Sequence, residues 1–289
     1  MSTAASARGD AQRRIDEQHT SSAKLRLQHI AKRFGVQGVA QTVAVEDFTL
    51  DVAPGEFLVI VGPSGCGKTT ILNVLAGLEQ PSAGRALIDE RPIAGPGPER
   101  GVMFQDYALF PWQTVWGNVE FGLRHGPAGD GLDAAARSDR VRSTIELVGL
   151  TGSEQKYPHQ LSGGMRQRVA LARLIANEPQ VLLMDEPLAA LDAQTRLILQ
   201  DELLRIWGQD RSAAERRTVV FITHAIDEAV FLADRVAVMT AHPGRLKAII
   251  DVALPRPRND ATRADPQFQA LCQHIWSLIR DEAYRATVA

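Results

Sequence analysis

The stretch GPSGCGKT, Gly62 to Thr69, has a glycine, four free positions, a second glycine, a lysine and a threonine, the spacing of a loop that wraps phosphate. Phosphate oxygens are met by backbone N–H groups, and glycine lets the chain curl tightly enough to aim several of them inward. Gly62, Gly65 and Gly67 supply that freedom, with Pro63, Ser64 and Cys66 between them. Lys68 is then expected to bridge the β and γ phosphates of a nucleoside triphosphate. Thr69 is expected to offer its hydroxyl to Mg²⁺, and Thr70 completes the binding stretch. A helix opening at Lys68 would aim its positive end at the same charge.

Two further stretches carry chemistry. VLLMDE, Val181 to Glu186, is an apolar run ending in two carboxylates, the pattern of a buried strand that delivers acids to its C-terminal edge. Asp185 is expected to hold Mg²⁺ and Glu186 to polarise the attacking water as general base. Two solvated acids closing a strand explain the run equally well in isolation; the loop upstream favours the chemical reading. LSGGMRQR, Leu161 to Arg168, places Ser162 ahead of Gly163 and Gly164. Ser162 is a natural helix N-cap. Two glycines in a first helical turn cost on the order of 1 kcal/mol each against alanine, which suggests a phosphate approaching bare backbone. Because one loop already serves this chain's nucleotide, the second anion site most simply serves the nucleotide of another subunit.

The elements that must position these groups are legible around them. EFLVIV (Glu56 to Val61) is a buried strand before the loop, and ILNVLAGL (Ile71 to Leu78) reads as the helix after it. Strand-like runs recur at Gly101 to Phe104, Val181 to Met184, Thr218 to Thr223 and Arg235 to Met239, separated by helical segments. That alternation predicts an α/β fold, a phosphate-loop nucleotidase core with a mostly parallel sheet and helices on both faces. LRLQHI (Leu25 to Ile30) and VEDFTLDV (Val45 to Val52) alternate as antiparallel strands. Between Gln105 and Pro179 the chain reads as helices, including Ala134 to Val148 and Gly163 to Ala176, and predicts an inserted helical subdomain. From Asp265, apolar Phe268, Leu271, Ile275, Leu278 and Ile279 fall on one helix face.

Composition bounds the function. The chain has 289 residues, a net charge of −2 and 45% hydrophobic residues. It holds no apolar run near the roughly eighteen residues of a membrane helix. The near-neutral balance gives no electrostatic footprint for nucleic acid. Two cysteines, Cys66 and Cys272, suggest no disulfide framework, and no secretory pattern precedes residue 30, so a reducing cytoplasm is expected. Cys66 reads as a small filler of the loop that remains open to oxidation or alkylation. Residues 1–23 read as a flexible tail.

Taken as a set, these motifs resemble the nucleotide-binding subunit of an ABC transporter, from about Leu25 to Leu254. The resemblance implies ATP and Mg²⁺ as cofactors and a homodimer beneath transmembrane permease subunits. It implies domains at 24–254, with a helical subdomain at about 106–178, and at 255–289. By resemblance, Phe34 stacks on adenine, although a single loop aromatic is more often packing. Gln105 senses Mg²⁺ and the membrane partner, and Leu161 to Gln167 form the signature that faces the other copy. Ala190, Leu191 and Asp192 form the D-loop, and His224 contacts the γ-phosphate. Two departures stand out: Ala225 follows the histidine where the family has Asp, and Leu188–Ala189 stand where it has Phe-Gly. The first removes a capping carboxylate.

An ATPase engine implies a load. A DNA-repair or chromosome ATPase would carry a long coiled-coil or zinc insertion between phosphate loop and signature, and a translation factor two cassettes; the sequence shows neither. Phe110, Pro111, Trp112 and Trp116 form an aromatic patch just beyond Gln105, readable as a membrane-partner contact or as subdomain core. GPGPERGVMFQ, LFPW, DEAVFLADRVAVM, HPGR and DPQF resemble the nitrate, sulfonate and taurine branch of bacterial importers, most nearly its taurine members. That resemblance implies a peripheral protein on the cytoplasmic face of the inner membrane, linked indirectly to a solute-binding protein, with nitrate the alternative solute.

Overall fold

The computed structural model describes residues 23–35 and 41–288; the tail reading of residues 1–22 lies outside them. Strands β1 (Leu25–Phe34) and β2 (Thr42–Val52) pair antiparallel. Strand β3 (Phe57–Val61), the phosphate loop and helix α1 (Lys68–Ala76) follow, then β4 (Ala83–Ile88), β5 (Arg91–Pro92) and β6 (Arg100–Met103). The helical stretch comprises α2 (Val115–His125), α3 (Ala134–Leu147) and α4 (Gly163–Ala176). The chain returns through β7 (Val181–Asp185), α5 (Ala193–Trp207), β8 (Thr218–Ile222), α6 (Ile226–Leu232), β9 (Arg235–Met239) and β10 (Leu246–Asp251). It ends in α7 (Asp260–Arg263) and α8 (Pro266–Val288).

Among the described residues the strands form a six-stranded sheet, order β10-β9-β3-β8-β7-β6, and a four-stranded one, order β2-β1-β4-β5. The larger is parallel apart from β10, as the alternation of strands and helices requires. Its central strands are buried along their whole length, and their side chains divide by the two-residue period. Leu58, Ile60, Leu183, Val220 and Ile222 join one core with α1 and the antiparallel strands. Val59, Leu182, Met184, Val219 and Phe221 join the other, with the helical stretch and the C-terminal helix. The sheet is therefore a rigid plate packed on both faces, and its C-terminal edge is a fixed platform.

Each helix of the inserted stretch starts at a side-chain cap. Thr114, Asp133 and Ser162 accept from the backbone N–H of Gly117, Ala136 and Met165. Helix α1 ends at Ala76, two residues short of the expected Leu78. Gly77 takes φ 76° there, and its N–H closes the last turn on Asn73 and Val74. Strands β4, β5 and β10 were not legible in the sequence. Strand β4 buries only Ala86 and Ile88, and β10 is a half-buried edge with no regular alternation.

Helix α8 docks through one face, with Phe268 and Ile275 buried and Leu271, Leu278 and Ile279 packed at the border of the core. Lys247 Nζ fastens it at 2.7 Å to Glu282 Oε1, while Glu282 Oε2 accepts from Ala241 N at 3.0 Å. No helix of the described residues is long and apolar enough to cross a membrane. Trp276, next to buried Ile275, is 55% exposed. Ile275→Ala is expected to destabilise the protein by about 2 to 4 kcal/mol, and Trp276→Ala by no more than roughly 0.5 kcal/mol, measured by denaturant unfolding. Equal losses would mean that the helix docks through another face.

Candidate functional site

The loop Gly62–Gly67 is a tight backbone cradle at the C-terminal end of β3. Gly65 and Gly67 take φ of 74° and 93°, left-handed values that a side chain resists. A Cβ on Gly67 would fall 2.7 Å from Val45 Cγ2 and 2.9 Å from Ala44 O, so the loop lies against β2 with no room for one. Gly244, in the HPGR stretch, is bridged to Val45 of β2 and packs against the loop beside that strand. A Cβ there would come 1.9 Å from Cys66 O, and its N–H donates to Ala44 O at 3.0 Å. Cys66 is fully buried. Burial pushes its thiol up, against the neighbouring Lys68, which fits the small filler and disfavours oxidation or alkylation there.

Lys68 is buried at the start of α1, and its Nζ donates to the carbonyls of Gly62 and Pro63, both at 2.9 Å. The ammonium is thus held inside the loop whose N–H groups would meet phosphate. Thr69, one residue on, hydrogen-bonds the Asp185 carboxylate at the end of β7. Burial pushes Asp185 up, and adjacent Glu186 adds to this; Thr69, Lys68 and His224 oppose it. Its Oδ1 is buried with no hydrogen-bond partner among the described residues. A buried, unsatisfied carboxylate oxygen beside a hydroxyl fits a hard divalent cation such as Mg²⁺, which takes oxygen ligands.

The pairing of β7 with β8 sets Asp185 opposite Ile222, and Glu186 N donates to Ile222 O at 3.0 Å. Just past the two strand ends the side chains meet: His224 Nε2 lies 2.5 Å from Glu186 Oε2. Glu186 takes φ 46°, so its carboxylate turns out of the strand direction. Ala225, at the N-cap of α6, makes no side-chain cap bond. The hydroxyl of Thr223 accepts from Ala225 N at 3.0 Å. A cleft of about 280 Å³ beside the pair is lined by Glu186, Leu188, Ala189, Arg196, Thr223, His224, Ala225 and Glu228.

Lys68, Thr69, Asp185, Glu186 and His224 therefore converge at one sheet edge. Gln105 follows β6 at the same edge, exposed in a turn closed by Tyr107 N on Phe104 O at 3.0 Å. Phe34 ends β1 with its ring 42% exposed and Lys32 Nζ 5.1 Å from the ring centre. Among the described residues no hydrogen bond or ion pair joins Ser162, Gly163, Gly164 or Gln167 to the phosphate loop, and Gln167 Oε1 is buried without a partner. Asp192 caps α5, accepting from Thr195 N at 3.0 Å. Among the described residues, only one of the two signature glycines has a close neighbour that excludes a side chain. A Cβ on Gly164 would meet Thr195 Cγ2 at 2.9 Å, while one on Gly163 would meet nothing within 4 Å.

The aromatic patch divides. Trp112 is 70% exposed and stands 5.6 Å from Phe110, which lies 4.4 Å from Phe121, beside a cleft of about 710 Å³. Trp116 instead packs against the core. Sequence reasoning missed Arg196 and Glu228. Arg196 Nη2 donates to Leu191 O at 3.0 Å, tying α5 to the preceding loop. Burial pushes the Glu228 carboxyl up, while Thr223 and Gln200, Nε2 at 3.1 Å, hydrogen-bond it. The available signal was a carboxylate at Glu228 just before the apolar run Ala229–Ala233.

Fold and site define a phosphate-loop ATPase built on a parallel sheet with an inserted helical subdomain. The chain belongs to the ABC transporter family, whose model matches residues 45–189, and it is a transporter-type ATPase that binds and hydrolyses ATP. An uncharacterized ABC transporter ATP-binding protein of Methanocaldococcus jannaschii is 47% identical over 91% of this chain and 94% of that protein. The aliphatic sulfonates import ATP-binding protein SsuB of Bacillus licheniformis is 45% identical over 84% of this chain and 89% of its own length. The nitrate import ATP-binding protein NrtC of Synechococcus elongatus is 44% identical over 81% of this chain and 35% of its own length. Among solved structures, a dimeric ATP-binding cassette in a post-hydrolysis state bound to ADP and Pi has a TM-score of 0.69. It is 29% identical in sequence and covers 79% of this chain and 98% of that one.

The close approach at Gly244 gives a test of the cradle. Gly244→Ala must push the Cys66 carbonyl away, and is expected to weaken ATP binding at least about tenfold, or 1.4 kcal/mol, by isothermal titration. Unchanged affinity would show that Gly244 does not set the loop.

Proposed function

We propose that this chain is the ATP-hydrolysing subunit of an ABC importer for a small anion, with sulfonates, taurine among them, the leading solute class. What supports the solute class is the alignment with a sulfonate-import ATPase across most of both chains, at 45% identity. Nitrate is the second reading, favoured by the nitrate-import relative at 44%. The solute itself is selected by partners: a solute-binding protein and the transmembrane subunits. The chain would work peripherally at the cytoplasmic face of the membrane, with 24–254 as its ATP-binding domain, about 106–178 the helical subdomain and 255–289 a C-terminal extension. Exposed Trp112 beside Phe110 and the adjoining cleft supports a contact with the membrane subunits there, because large aromatics anchor interfaces.

In this reading Gly62 to Thr70 hold the triphosphate, Phe34 the base, and Thr69, Asp185 and Gln105 the Mg²⁺. When bound, Mg-ATP supplies a phosphoanhydride and a cation that withdraws charge from it. Lys68 neutralises the β and γ phosphates. Glu186 accepts the proton of the attacking water, and His224, within hydrogen-bond distance of Oε2, keeps that carboxylate facing the site. Ser162, Gly163, Gly164, Gln167 and Asp192 act on the nucleotide of a second copy. The bare backbone at Gly163, which nothing among the described residues demands, supports a homodimer closed around two ATP molecules, and the related cassette is dimeric.

Two arms test the reading. A deletion strain is expected to lose growth when taurine or an alkanesulfonate is the limiting sulfur source, and to keep growth on sulfate; a loss confined to nitrate would shift the solute, and normal uptake of all of these would overturn the class. Replacing Phe110 and Trp112 together by alanine is expected to release the subunit from membranes and leave its soluble ATP hydrolysis intact. Retention on membranes at the wild-type level would place the partner contact elsewhere.

A further inference from the structure

Arg173 lies on α4, eleven residues beyond Ser162, inside the otherwise apolar run Val169–Ala176. A basic residue in a last helical turn commonly serves its own helix, neutralising the C-terminal carbonyls. Arg173 does something else. Its Nη2 donates to Tyr107 O and its Nη1 to Ala108 O, each at 2.7 Å. Those two residues have φ of 61° and 43°, a left-handed pair that side-chain-bearing residues seldom form. The same guanidinium stands 5.5 Å from the centre of the Phe110 ring and lines the cleft beside Trp112. Phe110 is itself fixed, because Asn118 accepts from its N–H at 2.9 Å and donates to its carbonyl at 3.2 Å.

The turn that Arg173 grips is the one that holds Gln105. Tyr107 N closes that turn on Phe104 O, and Tyr107 O is held from outside by the guanidinium. A planar fork with two parallel N–H groups suits two adjacent carbonyls; a lysine ammonium cannot reproduce that geometry. Burial costs Arg173 part of its charge stabilisation, an expense the two carbonyls and the ring face offset.

We propose that Arg173 is a positioning residue for ATP hydrolysis: by clasping the left-handed pair Tyr107–Ala108 against α4, it fixes Gln105 at the sheet edge and ties that turn to the helix that begins at Ser162. Arg173 touches no nucleotide in this scheme and acts through Gln105. The proposal rests on the placement of Gln105 in the ATP site. It also gives the aromatic cleft a route to the site, since a shift of Phe110 moves the face on which the guanidinium rests.

The test is a double-mutant cycle on the purified full-length chain, reading kcat and KM for Mg-ATP in wild type, Arg173→Met, Gln105→Ala and the double variant. Arg173→Met is expected to lower kcat roughly tenfold with KM changed less than about twofold. In the Gln105→Ala background it is expected to lower kcat by less than about twofold further, because the residue it positions is gone. A general loss of structure would instead multiply the two defects. Arg173→Lys carries the same cycle should the methionine variant fold poorly, and the thermal midpoint of each variant is read alongside. If the Arg173 and Gln105 factors multiply, the inference is overturned and the Gln105 reading stands. If Gln105→Ala alone leaves kcat at the wild-type value, Gln105 is misplaced and the inference falls with it.

Discussion

The register between β7 and β8 is the constraint on which the site depends. Asp185 sits opposite Ile222, and Glu186 N is bonded to Ile222 O. A slip of one residue would turn Asp185 toward the other face of the sheet and separate Glu186 from His224. The register is held because both strands are buried on both faces and divide their side chains between two cores. Packing therefore sets the chemistry: the plate fixes two strand ends, and the residues just past those ends inherit their separation. The phosphate loop is fixed in the same way, against β2 and against Gly244, which is itself bridged to β2. Lys68, Thr69 and Asp185 meet because β3 and β7 flank β8 in the same sheet.

Much of this was legible in the sequence, for physical reasons. Three fully buried parallel strands, β3, β7 and β8, announce themselves as apolar runs, and the helices of the inserted stretch carry strong caps at Asp133 and Ser162. The glycines at 65 and 67 are in the sequence because the backbone takes left-handed φ there. Strands β5 and β10 escaped because they lie at edges, and β4 because its first three residues are exposed, so that alternation fades. Trp116 and Trp112 could not be told apart by type, since only the three-dimensional packing sends one inward and leaves the other 70% exposed.

The residues around the site were harder to read. Gly244 gains its meaning from a chain segment 178 positions earlier, at Cys66, which no local pattern encodes. Arg173 and Glu228 sit next to or within apolar runs, and a charge in such a run marks a polar contact without saying with what. Arg173 is bonded to residues 65 and 66 positions away. Gly163 is the reverse case. Its helix cost is visible in the sequence, and no contact among the described residues demands it.

The central claim is that Glu186, held by His224 at the end of β7, is the base that activates water in a closed dimer. The most direct measurement is Glu186→Gln, followed by ATP binding, phosphate release and molar mass in solution with Mg-ATP. An amide keeps the shape and cannot take the proton. The account predicts retained ATP affinity, phosphate release reduced by at least about a hundredfold, and a stable dimer with ATP trapped. A monomer under saturating Mg-ATP that hydrolyses at the wild-type rate would contradict both the base and the paired site.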